Sequence, residues 1–194
     1  MMRDGGKTIS EGDPEISEAI DFARFYSLSA ENLNKESSAV GVVVVAPPWN
    51  FPYAIPMGGI VAALVSGNSV IFKPAPETVL IGWELVNQLW KAGVPKSVLH
   101  FLPTEDNEVG KHLITHKDVD IVVLTGSYET ALLFKKWKPS LRLLAETNGK
   151  NSIIVTGSAD IDTAVKDIID SAFGHAGQKC SAASLAIVDQ SIYN

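Results

Sequence analysis

Runs of β-branched and aliphatic residues alternate along this chain with segments whose apolar side chains return every three or four positions. Val40-Gly41-Val42-Val43-Val44-Val45 is a continuous apolar run of strand length, the pattern of a strand buried on both faces. Pro47-Pro48 stops it. Ser69–Lys73, Val98–Leu102, Val119–Thr125 and Leu141–Ala145 read as four more strands. Between them lie predicted helices over Ile55–Ser66, which is rich in Gly and Ala for close packing, over a segment marked by Val79, Trp83, Val86 and Trp90, over Glu105–Thr115 and over Tyr128–Trp137. Gly93 and Pro95 end the second of these. Upstream, Asp13-Pro14-Glu15 reads as a helix start, with Ile16, Ile20, Phe22 and Ala23 at helical spacing. Asn32–Ser38 is polar and reads as a linker.

Strands that alternate with helices imply parallel pairing with helices on both faces, an α/β doubly wound parallel sheet of Rossmann-like type. After Gly149 a new unit is expected: a strand at Asn151–Val155, an amphipathic helix capped by Asp160 and carrying Ile161, Val165, Ile168, Ala172 and Phe173, and a strand at Leu185–Val188. The domain division expected is 1–39 for the N-terminal helix and linker, 40–148 for a dinucleotide-binding domain, and 149–194 for the start of a catalytic domain.

Composition narrows the function classes. The 194 residues are 46% hydrophobic and 20% charged, enough to build a core without staples. The net charge of −6 argues against a nucleic-acid partner, since phosphate binding needs a basic face. The N-terminus lacks the apolar core of a signal peptide, and the longest apolar stretches are about half a membrane span, so no transmembrane segment is expected. A single cysteine rules out an intrachain disulfide and a cysteine-based metal cluster, and suits a reducing, cytoplasmic setting. The histidines show no metal-ligand spacing, and His112/His116 read as a solvated helix face; no metal is expected.

The chemistry-bearing residues cluster at strand ends and turns. Cys180 lies in Gly177-Gln178-Lys179-Cys180-Ser181-Ala182, and its polar neighbours suit an accessible thiol better than a core one. Glu146 follows an apolar strand, where a carboxylate is costly unless exposed or functional. A thiol attacks a carbonyl, and a carboxylate activates the water that later frees the product. Asn50, in Trp49-Asn50-Phe51-Pro52 after the first strand, either aims its amide at a developing oxyanion or caps the next helix. Lys73 at the end of the second strand either meets a nucleotide ribose or phosphate or is solvated beside Pro74. Thr125-Gly126-Ser127 opens a helix, where backbone N–H groups can hold a pyrophosphate. The G-x-G-x-x-G fingerprint is absent.

Taken in order, Pro48-Trp49-Asn50-Phe51-Pro52, Lys73-Pro74, Thr125-Gly126-Ser127, Glu146-Thr147-Asn148-Gly149-Lys150-Asn151 and Gly177-Gln178-Lys179-Cys180-Ser181 resemble the aldehyde dehydrogenase superfamily over nearly the whole chain. The resemblance implies Cys180 as nucleophile, Glu146 as general base and Asn50 as oxyanion-stabilising amide. It places Trp49, Lys73, Gly126 and Ser127 around an NAD cofactor, with NADP as the other possibility. Glu146-Thr147, Lys179-Cys180-Ser181-Ala182 and the Asp13–Phe22 segment look like the glutamate-γ-semialdehyde (Δ1-pyrroline-5-carboxylate) dehydrogenases. That likeness implies Ser181, Lys179 and Phe51 as substrate-binding residues. It also implies a small aldehyde substrate and a homo-oligomeric parent, alone or fused to proline dehydrogenase. Other readings are a dehydrogenase for a different aldehyde and a non-catalytic nucleotide-binding module.

Some positions depart from the family pattern. Pro76, followed by Glu77, stands where a ribose-gripping glutamate is common. Ala131 replaces the second glycine of the turn after the fourth strand, and Asn148 replaces a glycine near the base. Family members run to well over twice this length, so the chain is expected to be a fragment with little or no dehydrogenase activity by itself.

Overall fold

Thr8, rather than Asp13, opens the first long helix. In the computed structural model, which describes residues 1–33 and 36–193, a short α1 (Met2–Gly5) precedes α2 (Ile9–Glu31). Thr8 and Glu11 form a reciprocal capping box, with the Thr8 backbone N–H donating to Glu11 Oε2 at 2.8 Å. Asp13-Pro14 therefore lies inside the helix, where Pro14 leaves the carbonyl four residues back without its usual donor. The two-sided cap at Thr8 outweighs the start signal at Asp13. Of the linker expected over 32–38, Asn34 and Lys35 lie outside the described residues.

The remaining elements alternate as the apolar runs require. They are β1 (Val42–Ala46), α3 (Ala54–Val65), β2 (Ser69–Phe72), a 3₁₀ turn at Pro76–Thr78, α4 (Val79–Lys91), β3 (Leu99–Phe101), α5 (Glu108–Thr115), β4 (Ile121–Gly126), α6 (Tyr128–Trp137) and β5 (Leu143–Thr147). These strands form one five-stranded sheet in the order β3-β2-β1-β4-β5, and every pair is parallel. The register pairs Val45 with Phe72 and Val123, and Thr125 with Glu146.

The pleat sends successive β1 side chains to opposite faces. Val43 and Val45 pack with Ile60, Phe72, Leu85 and Leu99 under α3 and α4. Val44 and Ala46 pack with Ile114, Val122, Leu124 and Phe134 under α5 and α6. This two-faced burial is why β1 reads as an unbroken valine run. Helix α3 is itself enclosed on two sides. A Cβ at Gly59 would press on Val45, and one at Gly58 on the Phe22 ring of α2. These two glycines let α2, α3 and the sheet stack as three layers.

A second compact unit begins at Asn148. It holds β6 (Asn151–Val155), α7 (Ile161–Phe173), a 3₁₀ turn at Gly174–Gly177, β7 (Ala183–Val188) and a last 3₁₀ turn at Gln190–Ile192. Strands β6 and β7 pair in parallel. Asp160 caps α7 by accepting from Thr163 N at 2.8 Å. The apolar stripe of α7 does not become a core, because no α7 residue is buried and Phe173 stays 71% exposed. Two strands and one helix have too little surface to enclose it. Among the described residues no helix is long and apolar enough to cross a membrane.

Candidate active site

In a parallel α/β sheet, ligands bind beyond the carboxyl ends of the strands. In the first unit that edge carries Trp49, Asn50 and Phe51 just after β1, Lys73 just after β2, Gly126 and Ser127 at the end of β4, and Glu146 near the end of β5. Strands β1, β4 and β5 are consecutive neighbours, so the segments bearing Asn50, Ser127 and Glu146 leave the sheet side by side.

Helix α3 has Tyr53 as its N-cap, with no side-chain cap from that residue. Its first N–H groups are taken from a distance: Glu15 Oε1 accepts from Tyr53 N at 2.7 Å and from Ala54 N at 3.2 Å. A carboxylate of α2 thus caps these two N–H groups. Burial pushes the Tyr53 phenol up in pKa, and the nearby Glu84 charge adds to this. Its hydroxyl donates to Gln88 Oε1 at 2.7 Å.

Lys73 is not solvated. It is 8% exposed, and its Nζ lies 2.8 Å from Asp106 Oδ1. Ser127 caps α6, its Oγ accepting from Thr130 N at 3.1 Å. The α6 N-terminus therefore opens directly at the carboxyl end of β4, and with Lys73 this donor set fits a dinucleotide phosphate and ribose. Pro76 begins the 3₁₀ turn leading into α4. Glu146 lies within β5 rather than beyond it and is exposed, which removes the cost of a carboxylate among apolar neighbours.

Cys180 belongs to the second unit, where its thiol is free and exposed. The turn bearing it is tied down through its backbone. Asn151 Nδ2 donates to the carbonyl of Cys180 at 2.6 Å and to that of Ala182 at 3.2 Å. Gly149 lies so close to the Cys180 carbonyl that a Cβ would overlap it. Upstream, His175 and Ala176 hold left-handed backbone angles, φ 53° and 55°, costly for residues with a Cβ. Asn148 also sits at φ 54°. Asparagine tolerates that region, so the residue departing from the family's glycine keeps the conformation a glycine would supply. Lys179 is half-buried and Ser181 exposed.

His112 and His116 meet edge to face, ring centroids 5.3 Å apart, beside an apolar hollow of about 360 Å³ under α5. Val42, Ile71 and Val119 line it from the sheet side, and Leu102 and Thr104, just past β3, line it as well. Among the described residues no three His, Cys, Asp or Glu side chains gather as a metal site.

Sequence reasoning passed over four residues here: Lys7, Glu15, Asp106 and Asn151. Glu15 had a readable signal. Gly12, Glu15 and Ala19 fall at i, i+3 and i+7 on the buried stripe of α2, and a carboxylate in such a stripe requires a partner. Nothing local marks Asp106 or Asn151, whose partners lie 33 and 29 residues away.

A model of the aldehyde dehydrogenase family matches residues 1–194. The chain is similar to the 1-pyrroline-5-carboxylate dehydrogenase of Oceanobacillus iheyensis, 39% identical across 100% of this chain and 42% of that protein. Among solved structures it is similar to proline utilization A (PutA) from Corynebacterium freiburgense, with a TM-score of 0.93 and 52% identity over 97% of this chain and 20% of that one. It is also similar to an NADP-dependent glyceraldehyde-3-phosphate dehydrogenase from Bacillus halodurans complexed with NADP, with a TM-score of 0.91 and 28% identity over 98% of this chain and 44% of that one.

Proposed function

Because the chain belongs to the aldehyde dehydrogenase family, we propose that it is part of a longer NAD(P)-dependent enzyme that oxidises glutamate-γ-semialdehyde to glutamate in proline catabolism. The observation that carries this reading is the exposed, unpaired thiol of Cys180 on a turn anchored by Asn151. The substrate assignment draws on the 39% identity to a 1-pyrroline-5-carboxylate dehydrogenase.

Cys180, as thiolate, attacks the aldehyde carbon and forms a thiohemiacetal. The amide of Asn50 donates to the oxygen that gains charge, an interaction worth about 3 kcal/mol in a dry site. A bound nicotinamide cofactor supplies the hydride acceptor. Glu146 then takes a proton from the water that attacks the Cys180 thioester, releasing the carboxylate product. Ser181 and Lys179 supply a hydroxyl and a cation for the substrate's own carboxylate, and Phe51 packs on its aliphatic chain.

Trp49, Lys73, Gly126 and Ser127 are the proposed cofactor residues. NAD is the proposed cofactor, and NADP remains the alternative because a 28% identical structure carries it. Exposed Phe25 and Leu28 on α2 support a homo-oligomeric parent. The likeness to proline utilization A supports fusion to proline dehydrogenase. A cytoplasmic location accompanies a thiol that must stay reduced.

The test is Cys180→Ala in the longer enzyme. Loss of aldehyde oxidation with cofactor binding retained is the expected result. Undiminished oxidation would overturn the reading.

A further inference from the structure

Two charged side chains are buried where α2 meets the loop after β1. Lys7 is 3% exposed and Glu15 is 1% exposed, and they form an ion pair 2.5 Å long. Burying such a pair strips water from both ions, so apolar residues would hold two layers together at less cost. The pair does something apolar residues cannot. Glu15 Oε1 receives both Tyr53 N and Ala54 N, fixing the point where the loop turns into α3. Lys7 Nζ lies 3.8 Å from the centre of the Phe51 ring and fixes the loop's middle by a cation–π contact. The two grips are joined through Glu15 Oε2, which accepts from Lys7 Nζ. Asn50 sits one residue before the Phe51 grip and three before the Tyr53 grip. It also follows two prolines that restrict the chain from the β1 side.

We infer that Lys7 and Glu15 are positioning residues for the Asn50 amide, acting through the backbone of residues 51–54. This rests on the reading of Asn50 as the oxyanion donor. A donor misplaced by about 1 Å loses much of its effect on a transition state, so the consequence should appear in turnover rather than in cofactor binding. The apolar parts of Lys7 and Glu15 would account for layer packing, but packing by itself gives no reason for the loss to depend on residue 50.

A double-mutant cycle in the longer enzyme tests this. Asn50→Ala, Glu15→Gln and the two together are compared by kcat at saturating aldehyde and cofactor, by cofactor KM and by thermal midpoint. Glu15→Gln is expected to lower kcat at least tenfold with cofactor KM within twofold. In the Asn50→Ala background the same change should lower kcat less than twofold, because the group it positions is gone. An equal loss in both backgrounds, or no loss in either, overturns the positioning role while leaving Asn50 as donor. If Asn50→Ala alone leaves kcat unchanged, the oxyanion assignment fails and this inference with it. Should Glu15→Gln not fold, the neutral pair Lys7→Met with Glu15→Gln, which leaves no unpaired buried charge, takes its place in the cycle with the same expected and opposing results.

Discussion

Asn151 anchors the backbone of Cys180: its side-chain amide, 29 residues upstream, donates to the Cys180 carbonyl at 2.6 Å and bridges on to Ala182 at 3.2 Å. Gly149 approaches the same carbonyl so closely that any Cβ there would overlap it. The turn bearing Cys180, the proposed nucleophile, is thereby tied to the segment that opens β6.

Removing either constraint should loosen that turn. Asn151→Ala loses two hydrogen bonds and is expected to destabilise the second unit by about 1–2 kcal/mol. Gly149→Ala should do more harm, because the overlapping atom is backbone and has nowhere to move. Cys180 is the only thiol in the chain, so the rate of modification by a thiol reagent reports on the site directly. Both variants should change that rate, with Gly149→Ala the larger effect. An unchanged rate in both would show that the turn holds its shape without them.

Glu146→Gln separates the two halves of the proposed reaction. The amide cannot take a proton from water, and general-base removal costs typically 10²–10⁴-fold. In the longer enzyme, rapid mixing should show a burst of about one reduced cofactor per site, then slow turnover. Loss of the burst together with turnover would assign Glu146 to an earlier step.

Asp106 places a negative charge beside Lys73, the lysine proposed to meet the cofactor ribose. A 2′-phosphate would be repelled by that carboxylate and would compete with it for the lysine. Asp106→Asn is expected to raise the ratio of NADP to NAD kcat/KM roughly tenfold, about 1.4 kcal/mol of discrimination. A ratio that does not move would remove Asp106 from cofactor selection.

Asp160 sets an acid limit on α7. Its carboxyl is held below the usual range by the Thr163 backbone N–H it accepts, with the Thr163 side chain adding to this. A depressed folded pKa contributes stability that is present above the ordinary carboxylate value and is lost as pH falls through the lower, folded one. Helicity of α7 should therefore weaken below about pH 4, the ordinary value for aspartate. Asp160→Asn, which caps without a charge, should flatten that dependence. Circular dichroism against pH checks this, and an Asn variant that melts in parallel with the parent would refute it.

Much of the fold was legible in the order of the residues. The valine run of β1 reads as a strand covered on both faces, and its alternation with segments of helical spacing implies parallel pairing. Tyr128–Trp137, Asn151–Val155 and the Asp160 cap begin and end where local signals place them, because caps and apolar period act over a few residues. Local signals failed where two competed. Asp13-Pro14 carries a start signal, but the box at Thr8 and Glu11 satisfies more N–H groups, and α2 begins there.

The sequence by itself determined which residues are chemically able to act: one thiol, an amide after a paired proline, a carboxylate at a strand end. Tertiary structure decided what holds them. Glu15 became the cap of a helix 39 residues away, Lys73 was buried against Asp106, and Asn151 was set on the Cys180 carbonyl. The apolar stripe of α7 shows the same division: its spacing marks the face, and only the neighbours supplied by the fold determine whether that face is covered. Hydrogen bonds and ion pairs act over about 3 Å of space regardless of separation along the chain, so their partners appear only when the chain has folded.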